Sequence, residues 1–342
     1  MKVTLFRRNS LGGFSIENIT ENLANHLSGQ VDVKIFSPSY SNKGILNCLK
    51  SMLEVIRHQG DINHITGDSH FLSYFLNKRK TIITIHDCER LMTDNFSFFK
   101  KAIYKLFWFI IPNLRCAYIT TVSKESRANL IRFAGINKDR ILVIYDGIDD
   151  RFASLGLSQE EKNNLLQNKE HKKTVLHVSN IKEIKNVKRL IEAIKNLDVK
   201  FIKVGELAED ELKLLIEYNI DYIQFKNIEI GLLIKIYNSV DCLVFPSLIE
   251  GFGLPIIEAQ KCACPVVTSN ITCLPEIAGK GAVYVNPYSV DSIQKGITDI
   301  LNNNSLKLEL IDEGLKNAKR FKWDIIAAKY CQLYSEVAKN KE

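Results

Sequence analysis

Short apolar runs alternate with helical patterns along almost the whole chain, and this alternation limits the fold more than any other feature. Six runs of strand length occupy the first half and six occupy the second. A repeated strand-then-helix rhythm is typical of a parallel sheet covered by helices on both faces. In chain order the runs are VTLF, VDVKIF, INHI, TIITI, AYITTV, RILVIY, TVLHV, VKFIKV, YIQF, CLVF, PVVT and AVYV.

One polar segment interrupts this rhythm. Residues 145–173 carry turn residues and a single short helical pattern, as a domain boundary does. A chain of 342 residues also exceeds what one core usually supports. We therefore expect an α/β protein of two doubly wound, Rossmann-like domains, residues 1–150 and 151–322, with a ligand in the crevice between them. Residues 323–342 are predicted to form a C-terminal helix.

The composition, 46% hydrophobic and 25% charged, is that of a soluble globular protein. No apolar run reaches the roughly 18 to 20 residues of a membrane span, and the N-terminus shows no targeting pattern. We therefore expect a cytoplasmic protein. The eight cysteines lie mostly in apolar segments and none forms C-x-x-C, which predicts buried thiols and neither disulfides nor a zinc site.

The positive charge is concentrated in the first half. Residues 1–150 hold 20 Lys and Arg against 14 Asp and Glu, whereas the remainder holds 26 against 25. A basic half favours an anionic partner, which is a phosphorylated ligand, a membrane surface or a nucleic acid. Solubility alone accounts for the charge equally well. No aromatic and basic motif on a sheet face accompanies it, so nucleic-acid binding is not expected.

A charged loop lies between two apolar strands in the segment VDCLVFPSLIEGFGLPIIEAQKCACPVV, residues 240–267. The loop turns on Gly251 and Gly253, and a helix is predicted to start with Pro255 at its first position, where a missing N–H costs nothing. Leu254 would then be the N-cap. An apolar N-cap leaves the first amide groups of the helix to water or to a ligand anion.

Two glutamates flank this turn. Glu258 is predicted in the first helical turn, where a carboxylate can accept two hydrogen bonds from a vicinal diol, as the acidic residue of dinucleotide-binding folds does with ribose. The alternative is that Glu258 only complements the helix dipole, which contributes about 0.3 to 1 kcal/mol. That alternative leaves Glu250 and both glycines unexplained, so we favour a ligand-binding loop.

The loop after the first strand also contains paired glycines, Gly12 and Gly13, ahead of a helix that begins near Ser15. Such a pair lets backbone N–H groups approach a diphosphate at a helix N-terminus. The pattern is not G-x-G-x-x-G, and two such glycines more often form only a tight turn; the chain also has no Walker A sequence.

The pattern E-G-F-G-L-P-x-x-E resembles the signature of retaining glycosyltransferases of family 4, the glycosyl transferases group 1. This resemblance implies the GT-B fold, in which two Rossmann-like domains face each other and a C-terminal helix crosses back onto the first. Further segments also resemble family members. LGGFSIENITENLANHL is similar to the family's first loop and helix, TIHD to its strand-end His-Asp, and residues 120–149 to its domain-closing segment. HVSNIKEIKNVKRLIEAI is similar to its diphosphate loop, and FKWDIIAAKYCQLYSEV to its last helix.

The resemblance also implies roles for individual residues. Glu258 would hold the ribose hydroxyls of a nucleotide-diphosphate sugar, Glu250 the hydroxyls of the transferred sugar, and Lys185 would neutralise the departing diphosphate. Backbone amides would contact the sugar or diphosphate from Phe252, Gly253 and Leu254. Retention would follow from attack on the same face as the leaving group, so no enzyme nucleophile is expected.

The sequence departs from the family pattern at two positions. Most relatives carry an arginine five residues before the lysine, where this chain has Asn180, and Lys182 is the candidate to supply the missing charge. The segment that usually reads Asn-Gly contains Asp146, for which we expect only a local change in turn chemistry.

No metal or cofactor is expected. Stabilisation of a departing diphosphate needs positive charge more than a strong acid, and lysines with helix N-termini provide it. The chain contains no Asp-x-Asp, the pattern expected of a metal-dependent transferase.

Three histidines are candidates for the site, and a fourth is predicted to be buried. His86 follows the strand TIITI at the predicted crevice, and the resemblance places it near the donor sugar, although a lone strand-end histidine is often structural. His64 and His70 are weaker candidates on the acceptor side. His177 lies within a buried strand pattern and is predicted to be in the core.

Residues 98–115, FFKKAIYKLFWFIIPNLR, mix Lys100, Lys101 and Lys105 with apolar residues at helical spacing. The segment is consistent with peripheral contact to the inner face of an anionic membrane, which suits a lipid-linked acceptor. It is equally consistent with a helix whose apolar side faces the sheet.

The resemblance therefore favours a retaining glycosyltransferase that adds one sugar to a saccharide or lipid-linked saccharide in bacterial surface polysaccharide or glycolipid biosynthesis. Asn180 supports an alternative, a catalytically silent subunit that only binds nucleotide sugars. The donor and acceptor are not encoded in a portable motif, and the loops at residues 37–45 and 66–72 would contact the acceptor.

Overall fold

The computed structural model describes residues 1–8, 14–40, 44–93 and 97–339. The chain forms two compact units. Unit 1 consists of Met1–Gly147 together with Lys322–Glu342, and unit 2 consists of Ile148–Phe321. Each unit is described by itself below.

The described part of unit 1 contains a six-stranded parallel sheet in the order β2-β1-β3-β4-β5-β6. Its inner strands β1, β3 and β4 are buried on both faces, which explains why they read as continuous apolar runs, whereas the edge strand β2 is partly exposed. The strands are β1 (Lys2–Phe6), β2 (Asp32–Phe36), β3 (Ile62–Ile65), β4 (Thr81–Ile85), β5 (Tyr118–Thr121) and β6 (Ile141–Val143).

Helices cover this sheet on its two faces. The α-helices are α1 (Phe14–Leu27), α2 (Ile45–Val55), α3 (Glu89–Met92), α4 (Phe98–Lys105), α5 (Ile111–Leu114) and α6 (Lys124–Asn129). A π-helical stretch, Leu106–Ile110, joins α4 to α5, and another, Leu130–Ala134, extends α6. Short 3₁₀ helices occur at Ile56–His58, His70–Tyr74, Lys78–Lys80 and Lys138–Arg140.

Unit 2 repeats the architecture, with a six-stranded parallel sheet in the order β12-β11-β10-β7-β8-β9. This is the strand order of dinucleotide-binding folds. The strands are β7 (Lys173–Val178), β8 (Val199–Val204), β9 (Tyr222–Phe225), β10 (Cys242–Phe245), β11 (Val266–Ser269) and β12 (Ala282–Val285). All twelve runs predicted from the sequence are therefore strands.

The helices of unit 2 follow its strands. They are α7 (Gln159–Leu165), α8 (Val187–Ile194), α9 (Glu209–Glu217), α10 (Ile230–Ser239), α11 (Leu254–Lys261), α12 (Leu274–Ala278), α13 (Val290–Asn302) and α14 (Asn304–Ala318), with 3₁₀ helices at Glu183–Lys185 and Lys319–Phe321.

The last helix, α15 (Trp323–Lys339), belongs to unit 1. Its buried face joins one core cluster with β1 and α1: Trp323, Ile326 and Tyr334 lie among Val3 and Leu23. The resemblance implied this return of the C-terminal helix, and the structure confirms it.

Each sheet has a point where the chain reverses the direction in which it adds strands. In unit 2 this switch point lies between the adjacent strands β7 and β10. Loops at the carboxyl ends of such strands form the ligand site of open α/β sheets. In this unit they are the loops that contain Lys185 and Glu250.

The eight cysteines, all within the described ranges, are thiols, and six of them are buried. The predicted absence of disulfides is confirmed.

Candidate active site

Two loops at the switch point of unit 2 are held together by hydrogen bonds. Asn186 has a left-handed backbone (φ 63°) that ends the loop after β7. Its side-chain amide donates to the carbonyl oxygens of Pro246 at 3.0 Å and Pro287 at 2.7 Å. The Leu248 amide donates to the Ile184 carbonyl at 2.7 Å. These bonds fix the loop after β7 against the loop after β10.

Lys185 and Glu250 meet across these two loops. Nζ of Lys185 lies 2.6 Å from Oε1 of Glu250, and the side chains are only 15% and 11% exposed. The lysine also lies over the ring of Phe245, 5.7 Å from its centroid. Because the pair is largely removed from water, its charges interact strongly. The sequence predicted both residues in the site, and the structure places them in direct contact.

The start of α11 differs by one residue from the sequence prediction. Gly253, not Leu254, is the N-cap, with a left-handed backbone at φ 100°, and Pro255 is the second helical residue. The reason is conformational, since glycine adopts this backbone without steric cost. Among the described residues, the amides of Gly253 and Leu254 have no hydrogen-bond acceptor. This end of the helix can therefore donate to an anion.

Glu258 lies in the second turn of α11, so its predicted place in the first turn was wrong. The hydroxyl of Tyr237, on α10, donates to Oε2 of Glu258 at 2.8 Å. Burial raises the pKa of Glu258 to about 7. Sequence reasoning missed Tyr237, because nothing in a helical pattern on α10 shows that its hydroxyl reaches a carboxylate on another helix.

Asn180 and Lys182 are exposed in the loop after β7. The Lys182 carbonyl accepts the amide of Lys185 at 2.9 Å, which fixes the backbone that carries the buried lysine. A further cation, Arg189, donates to the Asn186 side chain at 2.8 Å and lies over the ring of Tyr288. The sequence analysis did not identify Arg189 as a neighbour of this loop.

Two buried basic residues lie near the carboxyl ends of β7 and β8. His177 is fully buried, as predicted, and its ring nitrogens pair with the Val244 carbonyl at 2.8 Å and the Ser179 hydroxyl at 2.9 Å. Burial lowers the pKa of His177 to about 3, so the ring is neutral. Lys203, which the sequence analysis missed, donates to the carbonyls of Ser179 and Val204, and burial lowers its pKa to about 8.

In unit 1, His86 follows β4 and pairs with one group that follows β3 and one that follows β6. Its Nε2 lies 3.0 Å from the Thr66 carbonyl oxygen, and its Nδ1 lies 3.6 Å from Oδ2 of Asp146. Burial opposes the charged ring, but Asp146 outweighs burial and the pKa of His86 rises to about 9. The expectation that Asp146 changes only local turn chemistry was wrong, because this carboxylate forms a long-range ion pair.

His64 and His70 are buried and form hydrogen bonds within unit 1. His64 pairs with the hydroxyls of Tyr334 and Thr84, both at 2.7 Å, and burial lowers its pKa to about 3. Nδ1 of His70 lies 2.8 Å from the Trp108 carbonyl oxygen. These contacts correct the suggestion that either histidine faces an acceptor, since both rings pack into the core of the unit.

The remaining predicted residues are placed as follows. Phe252 is buried and packs edge-on against Phe321, so its side chain belongs to the core of unit 2. Gly12 and Gly13 lie outside the described residues. Within residues 1–8, 14–40, 44–93 and 97–339, no group of three His, Cys, Asp or Glu side chains is arranged to hold a metal ion.

Two family models match the chain. Residues 16–152 match the model described as Glycosyltransferase Family 4, and residues 158–317 match Glycosyl transferases group 1. Together they cover most of the sequence. The chain belongs to glycosyltransferase family 4.

Relatives of this family 4 member include polysaccharide enzymes. It is 30% identical over 225 residues to the serotype-specific mannosyltransferase WbdA of Escherichia coli, which covers 61% of this chain and 27% of WbdA. It is 28% identical over 226 residues to the O-antigen chain mannosyltransferase RfbU of Salmonella typhimurium, 65% of this chain and 61% of RfbU. The family 4 chain thus spans about a quarter of the length of WbdA.

Solved glycosyltransferase structures share the fold over the full length of this family 4 chain. Sucrose-phosphate synthase from Thermosynechococcus elongatus has a TM-score of 0.82 at 17% identity, covering 99% of this chain and 100% of that one. Anabaena HepE, in complex with UDP and glucose, has a TM-score of 0.80 at 18% identity, covering 98% and 100%. The fold is GT-B, as the resemblance implied.

Proposed function

We propose that this glycosyltransferase moves a sugar from a nucleotide-diphosphate sugar to a saccharide or lipid-linked saccharide, with retention of anomeric configuration and without a metal ion. The products would be bacterial surface polysaccharides or glycolipids. The observation that carries the proposal is the contact between Lys185 and Glu250 at the switch point, beside the open amides of α11.

The residues of this site suit the charge changes of such a transfer. When the bond between the anomeric carbon and the diphosphate breaks, negative charge grows on the phosphate oxygens. Lys185 and the N-terminus of α11 offset that charge, and Lys182 adds a cation from the same loop. The acceptor oxygen bonds to the anomeric carbon on the same face, and its proton passes to the departing phosphate.

The two glutamates would hold hydroxyl groups of the donor. Glu258 has one carboxylate oxygen occupied by Tyr237, and among the described residues its Oε1 accepts no hydrogen bond. That oxygen is the one we assign to the ribose. Glu250 would exchange its contact with Lys185 for the hydroxyls of the transferred sugar when the diphosphate engages the lysine.

His86 is the residue of unit 1 that we assign to the reaction. Its positive charge at a strand end favours an approaching nucleotide sugar. Gly12 and Gly13 are proposed to contact the same diphosphate through their amides. No helix of the described residues is long and apolar enough to cross a membrane. We propose a cytoplasmic location, with the acceptor presented at the inner face of the membrane.

A thermal-shift screen of nucleotide diphosphates and their sugars tests donor binding, since a ligand that binds only the folded protein raises Tm. UDP and GDP come first, because HepE was solved with UDP and WbdA and RfbU are mannosyltransferases. Donor hydrolysis without acceptor, with and without a chelator, then tests turnover and metal independence. If nucleotide diphosphates leave Tm unchanged, the proposal fails.

The second candidate, a silent nucleotide-sugar-binding subunit, is kept because Asn180 stands where most relatives have an arginine. It predicts a Tm shift with nucleotide but no sugar released from any donor. Hydrolysis by the wild type that is lost in Lys185→Ala would exclude it.

A further inference from the structure

Helix α2 presents an apolar stripe to solvent. Leu46, Leu49, Leu53 and Ile56 follow one another at helical spacing and all are exposed, Leu46 by 74%. The opposite side of the helix supplies Val55 to the core. A surface helix normally turns polar residues outward. Here the outward side is apolar as well.

The segment from α4 into the π-helical stretch is also apolar on its solvent-exposed side. Phe99 is 78% exposed and Ile103 is 58% exposed, and Leu106 and Phe107 continue the stripe. The inner side packs Phe109, with Tyr104 and Trp108, into the core. The sequence left open whether the apolar residues of this segment face the sheet or a membrane. The structure shows apolar residues on both sides of this segment, one side packed into the core and the other exposed to solvent.

The two stripes lie on the same region of unit 1. Helix α2 and the stretch after α4 both pack against the 3₁₀ helix His70–Tyr74, and their inner faces share one core cluster. The hydroxyl of Tyr74 donates to the Phe107 carbonyl at 2.6 Å, which ties this 3₁₀ helix to the second stripe. Exposed Phe75 lies next to it in the chain. The apolar surface is larger than the single exposed side chains that are normal for a soluble protein.

Positive charge accompanies both stripes. Residues 98–107 contain three lysines and no acidic residue, and α2 with its 3₁₀ extension carries Lys50 and Arg57. The one acid of α2, Glu54, accepts hydrogen bonds from the amide and hydroxyl of Ser39. Bulky apolar side chains with interspersed cations are the composition of helices that lie in a membrane interface.

We propose that the outward sides of α2 and of residues 98–107 form a docking surface for a bilayer that contains anionic lipids. The apolar stripes enter the boundary between headgroups and acyl chains, and the exposed cations Lys50, Arg57 and Lys100 contact the lipid phosphates. A second copy of the chain fits this surface less well, because a symmetric contact would bring the same cations together. The proposal concerns where the protein binds and does not depend on the reaction it catalyses.

Vesicle co-sedimentation tests the proposal, with phosphatidylcholine vesicles that contain phosphatidylglycerol compared with pure phosphatidylcholine. The full chain should bind the anionic vesicles more tightly. Replacing Leu49, Leu53, Phe99 and Ile103 by Ser should weaken this binding about tenfold or more, since several buried apolar groups are lost. Lys50→Gln with Lys100→Gln should reduce the preference for the anionic vesicles and its dependence on salt.

Matched controls come from unit 2, where Ile216 and Leu308 are 72% and 65% exposed. The double variant Ile216→Ser, Leu308→Ser removes exposed apolar side chains that lie outside the stripes and should bind vesicles like the wild type. Circular dichroism and the Tm shift with nucleotide check that each variant is folded, without requiring sugar transfer. Two results would overturn the proposal: wild-type protein that ignores anionic vesicles, or stripe variants that only convert a dimer to a monomer.

Discussion

His86 and Asp146 form a buried ion pair, in which Nδ1 of the imidazole lies 3.6 Å from Oδ2 of the carboxylate. The other ring nitrogen lies 3.0 Å from the carbonyl oxygen of Thr66. A carboxylate and a carbonyl only accept hydrogen bonds, so both ring nitrogens are best satisfied when both carry protons. Geometry and the pKa of about 9 therefore agree on a positively charged His86 at neutral pH.

Asp146→Asn should remove most of this charge by returning the pKa of His86 toward or below its ordinary value of 6.5. When folding raises the pKa of a histidine, protonation of that histidine stabilises the folded protein. This contribution is complete below pH 6.5 and is lost as pH rises through about 9. The free energy of unfolding of the wild type should fall across that window by about 3 kcal/mol more than that of the variant.

Urea unfolding at several pH values across the window measures this difference. Asp32→Asn, which removes an exposed carboxylate from the same unit, is the control and should keep the wild-type pH dependence. Parallel stability curves for wild type and Asp146→Asn would show that the pair does not hold His86 charged.

Lys185→Ala should lower the rate of donor hydrolysis and sugar transfer by about 10² to 10³, the usual effect of removing one preorganised group that offsets charge in a transition state. It also leaves Glu250 largely buried without its 2.6 Å partner. Tm should therefore fall in the absence of ligand. Steady-state kinetics and thermal melts measure the two effects separately.

Lys182→Ala is the matched variant, since it removes an exposed lysine from the same loop. We expect a smaller loss of turnover and little change in Tm. Equal losses for the two lysines would contradict the assignment of Lys185 as the main partner of the diphosphate.

Glu258→Gln should weaken nucleotide binding and yet stabilise the ligand-free protein above neutral pH. A carboxyl whose pKa is raised to about 7 by burial favours folding at low pH, and that contribution is lost as pH rises from 4.5 through 7. The uncharged variant avoids a penalty of about 3 kcal/mol. Loss of a hydrogen bond to a charged group should weaken nucleotide affinity about tenfold or more.

Melting curves at pH 5 and pH 8, with and without nucleotide diphosphate, measure both effects of Glu258→Gln. Tyr237→Phe separates the contributions, because it removes the hydroxyl that donates to Oε2 and keeps the carboxylate. Unchanged nucleotide affinity in Glu258→Gln would exclude the ribose assignment.

Gly253→Ala should destabilise unit 2 by about 1 to 3 kcal/mol, since a φ of 100° is strained for any side chain. The added Cβ would also lie 2.9 Å from Cδ2 of Leu274. Gly156→Ala is the control, because nothing lies within 4 Å of its Cβ position and its φ is not in the left-handed region. Chemical denaturation measures the free energy of unfolding of both variants. Equal values for Gly253→Ala and Gly156→Ala would mean that the backbone at the start of α11 is not strained.

The sequence was sufficient to predict the strands and the loops of the site. Strands buried on both faces read as apolar runs, and ligands bind beyond their carboxyl ends, so Lys185 and Glu250 could be placed without coordinates. The partners were harder to predict. Asp146 and Tyr237 reach His86 and Glu258 from other elements, and such contacts leave no periodic signal.

The sequence also could not predict which side of an apolar helix is exposed to water. In α2 and α4 apolar residues occupy both sides, and periodicity then no longer indicates which side is buried. The start of α11 shifted by one residue for a different reason, because the left-handed Gly253 takes the N-cap position that the pattern gave to Leu254.

Because α15 closes the core of unit 1, that core is assembled from segments that lie before and after unit 2 in the sequence. A ribosome that translates this protein completes every residue of unit 2 before it supplies the 17 residues of α15. Part of the apolar surface of unit 1 therefore stays uncovered until all of unit 2 has been synthesised.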